Sequence, residues 1–138
     1  MKDNEIISIP VWGDRVSPVF DYATRILVVK TEKGVECSRF ETSLDGPFLA
    51  ERINKLKSLG VHTLVCGAIS RPLHYMLINA GIEVIPWISG SVNEVLEAFL
   101  KGKLYDVRFF MPGSKWYWAK GHGRRRGQTM GRRRGIYF

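Results

Sequence analysis

The chain has two cysteines and three histidines among 138 residues, and that scarcity removes several functions at the outset. Cys37 and Cys66 follow no paired spacing, so no disulfide framework is predicted and a reducing, cytoplasmic setting is expected. No pair of Cys or His residues has the spacing of a closed zinc site. A nucleophile elbow with Ser, His and Asp is missing, as is a Walker-type phosphate loop, so the sequence predicts binding and not catalysis. No apolar run approaches the roughly 20 residues of a spanning helix. The opening "MKDNEIISIP" sets acids ahead of a short apolar stretch, unlike a secretion signal. Neither export nor a transmembrane segment is expected.

Acidic residues are absent from positions 114–138, and this absence locates the charge of the protein. Residues 1–113 hold 13 Lys+Arg against 13 Asp+Glu, whereas 114–138 hold 8 Lys+Arg, so the whole net charge of +8 belongs to the tail. The motif "GRRRG" occurs there twice, at 123–127 and 131–135, after the aromatic cluster Trp116, Tyr117 and Trp118. Low complexity without an apolar period predicts a basic, disordered extension over 113–138. Arg124, Arg125, Arg126, Arg132, Arg133 and Arg134 could neutralise phosphates while Trp116 and Trp118 stack on bases. The same residues suit an acidic protein partner or anionic lipid headgroups. A solubilising tail with no partner is the plain alternative.

Residues 1–112 are enough for one domain with one core. "EIISIPVW" (5–12), "TRILVVKT" (24–31) and "VECSRFE" (35–41) are short, β-branched and bounded by turn residues, so each predicts a strand, with a tight hairpin at "EKG". "DGPFLAERINKLKSLG" (45–60) predicts an amphipathic helix with Pro47 in its first turn and Phe48, Leu49, Ile53, Leu56 and Leu59 on its buried face. After a buried strand at "VHTLVCG" (61–67), "SRPLHYMLINAG" (70–81) predicts a helix capped by Ser70 and stopped by Gly81. A last strand, "IEVIPW" (82–87), leads to "SVNEVLEAFLKG" (91–102), where Ser91 and Glu94 have capping-box spacing and Val92, Val95, Leu96 and Phe99 form the apolar face. Three strands followed by alternating helix and strand predict a single α/β domain. Its mixed five-stranded sheet should be antiparallel in the N-terminal part and parallel in the C-terminal part, with flanking helices.

Three blocks in order resemble the dinitrogenase iron-molybdenum cofactor biosynthesis family, over about residues 5–105. "VSPVFDYATRILVV" stands beside the family's Val-Ser-Pro-x-Phe-Gly-x-Ala loop and strand, and "GVHTLVCGAIS" beside its turn ending Gly-Gly-Ile-Gly. "AGIEVIPWISGSVNEVLEAFLKGKL" stands beside its Ala-Gly-Ile-x-Val segment and final helix. The resemblance implies a ribonuclease-H-like fold, an iron-sulfur or iron-molybdenum cluster precursor as cargo, and cluster donor and acceptor proteins as partners. A two-metal nuclease of that fold class needs carboxylates beginning in the first strand, and "IISIPVW" holds none. The chain departs from the family at Val19, where many members have His, and at Asp21, where Gly follows the Phe. It departs again at Cys66-Gly67-Ala68-Ile69-Ser70, where Gly-Gly-Ile-Gly is common.

Ligands favour the C-terminal edge of parallel strands, so the expected crevice lies between the Gly13 to Ala23 loop, the Cys66 to Ser70 turn and the Ser89 to Ser91 turn. Candidate cargo-binding residues are Ser17, Asp21, Cys66, Gly67, Ser70 and His74. Cys66 should end a strand just before a helix, whose end could acidify the thiol for a soft metal or a cluster iron, and His74 could add an imidazole. These two are the candidate metal ligands. Gly67 would let backbone approach the cargo, and free amides at the helix start would hold its negative charge. Each has a structural alternative: Ser17, Pro18 and Asp21 as a self-bonded turn with Phe20 plugging the core, Cys66 as a small hydrophobe, and His74 as a solvated side chain. The expected function is a non-catalytic carrier of a metal-sulfur cluster or its precursor. The alternative is a nucleic-acid-binding protein acting through its tail.

Overall fold

The computed structural model describes residues 4–44, 46, 48–104 and 109. Pro47, the boundary at 112 and the tail, with Trp116, Trp118 and both arginine triplets, lie outside the described residues. Along the chain come β1 (Asn4–Trp12), β2 (Arg15–Val16), a 3-10 turn (Phe20–Tyr22), β3 (Arg25–Glu32), β4 (Val35–Ser43) and α1 (Leu49–Ser58). They are followed by β5 (Thr63–Val65), α2 (Arg71–Asn79), β6 (Glu83–Ile85) and α3 (Val92–Leu100). No helix among the described residues is long and apolar enough to cross a membrane.

The long strands lie in the order β4-β3-β1-β5-β6. Pairing is antiparallel between β4, β3 and β1 and parallel from β1 through β5 to β6, the mixed sheet that the sequence predicts. The sixth strand, β2, was not expected, because two residues carry no period. It pairs with the end of β1 at Val11↔Val16 and Trp12↔Arg15. β1 therefore changes partner on one side, from β5 at Ile7 and Ser8 to β2 at Val11 and Trp12. Pro10, which has no N–H to donate, falls in the gap between them. The β3–β4 hairpin turns through Lys33 and Gly34, both at positive φ, as a two-residue turn that matches strand twist requires.

Strand residues alternate between faces, and both faces of this sheet are apolar. Ile7, Ile9, Leu27, Val29, Val65 and Ile85 pack with Val92, Val95 and Leu96 of α3. On the other face Ile26, Val28 and Leu64 pack with Ile53 and Leu56 of α1 and Leu73 and Leu77 of α2. Leu49, Leu59 and Phe99 are only partly buried. Phe48 departs from expectation more sharply. It holds the N-cap position, ahead of the helical face, and is 65% exposed. The buried face of α1 gains Arg52 instead, whose guanidinium donates to Ala23 O at 2.7 Å and Phe20 O at 3.3 Å and lies over the Phe20 ring at 5.9 Å. That arginine ties the loop after β2 to the α1 side of the sheet.

Candidate functional site

Because β1, β5 and β6 are parallel, the loops that follow them emerge at one edge of the sheet. Backbone hydrogen bonds join all three. Ala68 N–H donates to Pro18 O and Phe20 N–H to Ala68 O, both at 2.8 Å, so the first and second loops form a parallel bridge at Val19↔Ala68. Val16 N–H donates to Gly90 O at 3.0 Å and Val92 N–H to Asp14 O at 2.9 Å around an antiparallel bridge, Arg15↔Ser91. Trp87 N–H donates to Gly67 O and Ile88 N–H to Cys66 O, each at 2.9 Å. Trp87 itself sits at φ 69°, a left-handed conformation that a bulky residue adopts only when its surroundings enforce it. Nothing in its sequence signals this strain.

The candidate residues occupy this seam in ways that sequence could only partly anticipate. Gly67 does make a close backbone approach, but to the protein itself: a Cβ there would lie 2.5 Å from Pro18 O and 2.8 Å from Ser17 O. Ser17 is buried and its N–H donates to Pro10 O at 2.8 Å. Ser70 takes the N-cap position of α2, yet its hydroxyl makes no cap bond. Its N–H donates instead to Asp21 Oδ1 at 2.9 Å. Asp21 thus supplies, from a distant loop, the negative charge that a helix start attracts.

Cys66 follows β5 directly and is fully buried. Burial pushes its thiol up, and the Asp21 carboxylate adds to the shift. Both causes act against the acidification expected from the helix end, since burial and a nearby carboxylate each disfavour the thiolate. His74, one turn into α2, is 6% exposed and not solvated. Its N–H donates to Ser70 O at 2.9 Å, and burial pushes the imidazole down, which favours the neutral form that ligates metals. Among the described residues no three His, Cys, Asp or Glu side chains gather where they could hold a metal ion.

The His74 shift has a measurable consequence. Its ordinary value is 6.5 and its folded value lies lower, so as pH falls the unfolded chain takes up the proton first. The stability contributed by the neutral imidazole is whole above pH 6.5 and is lost as pH drops toward the folded value. Denaturant unfolding of the wild type should weaken on acidification through this window more steeply than that of His74→Gln. Parallel profiles would mean that the imidazole protonates freely in the fold.

Fold and seam together define a small mixed α/β domain in which the loops at one edge of the sheet are joined by backbone hydrogen bonds. Residues 4–102 match the dinitrogenase iron-molybdenum cofactor family, and the chain belongs to that family. Among curated proteins there is no significant match. A candidate NifB protein from Thermotoga is similar at 25% identity and a TM-score of 0.58, over 72% of this chain and 90% of that one. PH0822 is similar at 24% identity and a TM-score of 0.65, over 72% and 92% of the two chains. The apo form of the orange protein from Desulfovibrio gigas is similar at 21% identity and a TM-score of 0.60, over 72% and 89%. The last two likenesses concern the fold alone.

Proposed function

We propose that the protein is a non-catalytic carrier for a metal-sulfur cluster or its precursor, loaded where the three loops meet. The observation that carries this reading is the meeting of the Asp21 carboxylate with the Ser70 amide beside a buried thiol, in a chain of a cofactor-related family. Asp21 and an anionic cargo would compete for the same helix start. When Asp21 swings away, the α2 amides become available to the cargo, and Cys66 loses the nearby negative charge. Cys66 then serves as the soft ligand and His74 as the nitrogen ligand. Return of Asp21 to Ser70 would favour release, so cargo passes on by ligand exchange between donor and acceptor proteins, without turnover.

Anaerobic reconstitution with iron and sulfide tests this directly. The wild type should develop a charge-transfer band in the visible, Cys66→Ala should load about tenfold less or worse, and Cys37→Ala should load as well as the wild type. Identical spectra for the three proteins, or no band in any, would contradict the carrier reading. The segregation of all net charge into the tail supports a second reading, in which the domain is a scaffold and the tail binds nucleic acid.

A further inference from the structure

β4 ends the sheet, so one of its sides pairs with β3 and, among the described residues, no strand pairs with the other. β4 spans nine residues, but its register slips at Cys37, between Lys30↔Ser38 and Thr31↔Glu36, so the regular edge is the run Ser38–Ser43, whose backbone groups can template pairing with another chain. The β3 ladder shows which groups face outward. Leu44 donates its N–H to Thr24 O at 2.8 Å, and bonded and non-bonded pairs alternate along an antiparallel register. Ile26↔Thr42 and Val28↔Phe40 are then bonded pairs, whereas Arg25↔Ser43, Leu27↔Glu41 and Val29↔Arg39 are not. Arg39, Glu41 and Ser43 therefore turn their N–H and C=O groups to the open side.

The side chains carry a matching pattern. Arg39 lies on the α3 face, where its Nη1 donates to Asn93 Oδ1 at 2.9 Å, and Glu41, two residues on, shares that face. Phe40 lies on the opposite face and is 41% exposed. We infer that β4 pairs antiparallel with β4 of a second copy of this chain, about a two-fold axis at Phe40, so that two sheets become one. In this register Arg39 of each copy stands opposite Glu41 of the other, in hydrogen-bonded pairs that use the outward backbone groups. The two Phe40 rings meet in the closer, non-hydrogen-bonded pair. Moving the axis by one residue sets Arg39 against Arg39 or Glu41 against Glu41, like charges directly opposed. Charge thus disfavours both neighbouring registers. An edge carrying a single sign would repel its own copy; this one is complementary to itself.

Sedimentation equilibrium of the full chain over a concentration series tests the pairing, with circular dichroism to verify that each variant is folded. The wild type should dimerise. Arg39→Glu and Glu41→Arg each oppose like charges twice across the axis and should each weaken the dimer about tenfold. The double swap loses the same pairs within one chain, Arg39 with Glu36 and Arg25 with Glu41, yet should regain the wild-type association. Phe40→Cys in a Cys37→Ser background should form a disulfide between copies on mild oxidation, because only a residue on the axis faces itself. A monomer at every concentration, a double variant as weak as the single ones, or no cross-link at position 40 would overturn the pairing.

Discussion

Gly67→Ala should lower the stability of the domain by about 3 kcal/mol or more, a large part of the roughly 5–15 kcal/mol available to a domain. The obstacle is steric. The new methyl group would meet Pro18 O and Ser17 O, which are backbone atoms and cannot rotate aside as a side chain can. Pro18 O already accepts from Ala68 N–H, so retreat of the first loop breaks the Val19↔Ala68 bridge. It also loosens Phe20, which fills the core beneath. Denaturant unfolding gives the readout. A midpoint close to that of the wild type would mean that the first loop lifts away at little cost, and that the seam is not closed in the unloaded protein.

Phe109→Ala should cost about 3–5 kcal/mol, as for other buried phenylalanines. Phe109 is 2% exposed and lies in the apolar cluster between the sheet and α3, and its carbonyl accepts from Ser89 N–H at 2.7 Å. With Leu104, also buried, it stands beyond the segment 4–102 that matches the family. The hydrogen bond from Ser89 N–H to its backbone carbonyl, which the substitution keeps, ties Phe109 to the loop that follows β6, so removing the ring should loosen that loop along with the core. Thermal unfolding with an unchanged midpoint would show that the core is complete without this side chain.

The elements were legible where local pattern decides them. The Ile- and Val-rich runs became strands, the apolar faces of Ile53 and Leu56, Leu73 and Leu77, and Val95 and Leu96 became helices, and Ser91 Oγ accepts from Glu94 N–H at 3.5 Å as the capping-box spacing predicts. Ser70 obeys the same local rule in sequence and departs from it in space, because Asp21, 49 residues earlier, takes its amide. Arg52, which lies outside the apolar face read from the sequence, is buried because the carbonyls of Phe20 and Ala23 are brought to it. The same limit applies to Gly67, which reads as an opening for a ligand although the first loop fills the space. Each of these contacts joins segments far apart in the chain, so no window of neighbouring residues contains it. The resemblance to the family pointed to the loops that carry Asp21 and Ser70, and only the structure shows that the two residues meet.

The carrier reading places the cargo in the domain and the rival reading places function in the tail, and metal and sulfide analysis separates them. The full chain and a chain ending at Gly113 should be purified anaerobically side by side, each with its Cys66→Ala counterpart. Equal iron and sulfide per chain in the full and shortened proteins, reduced by Cys66→Ala in both, is the predicted result. Cargo that disappears with the tail, or that is indifferent to Cys66, would contradict it.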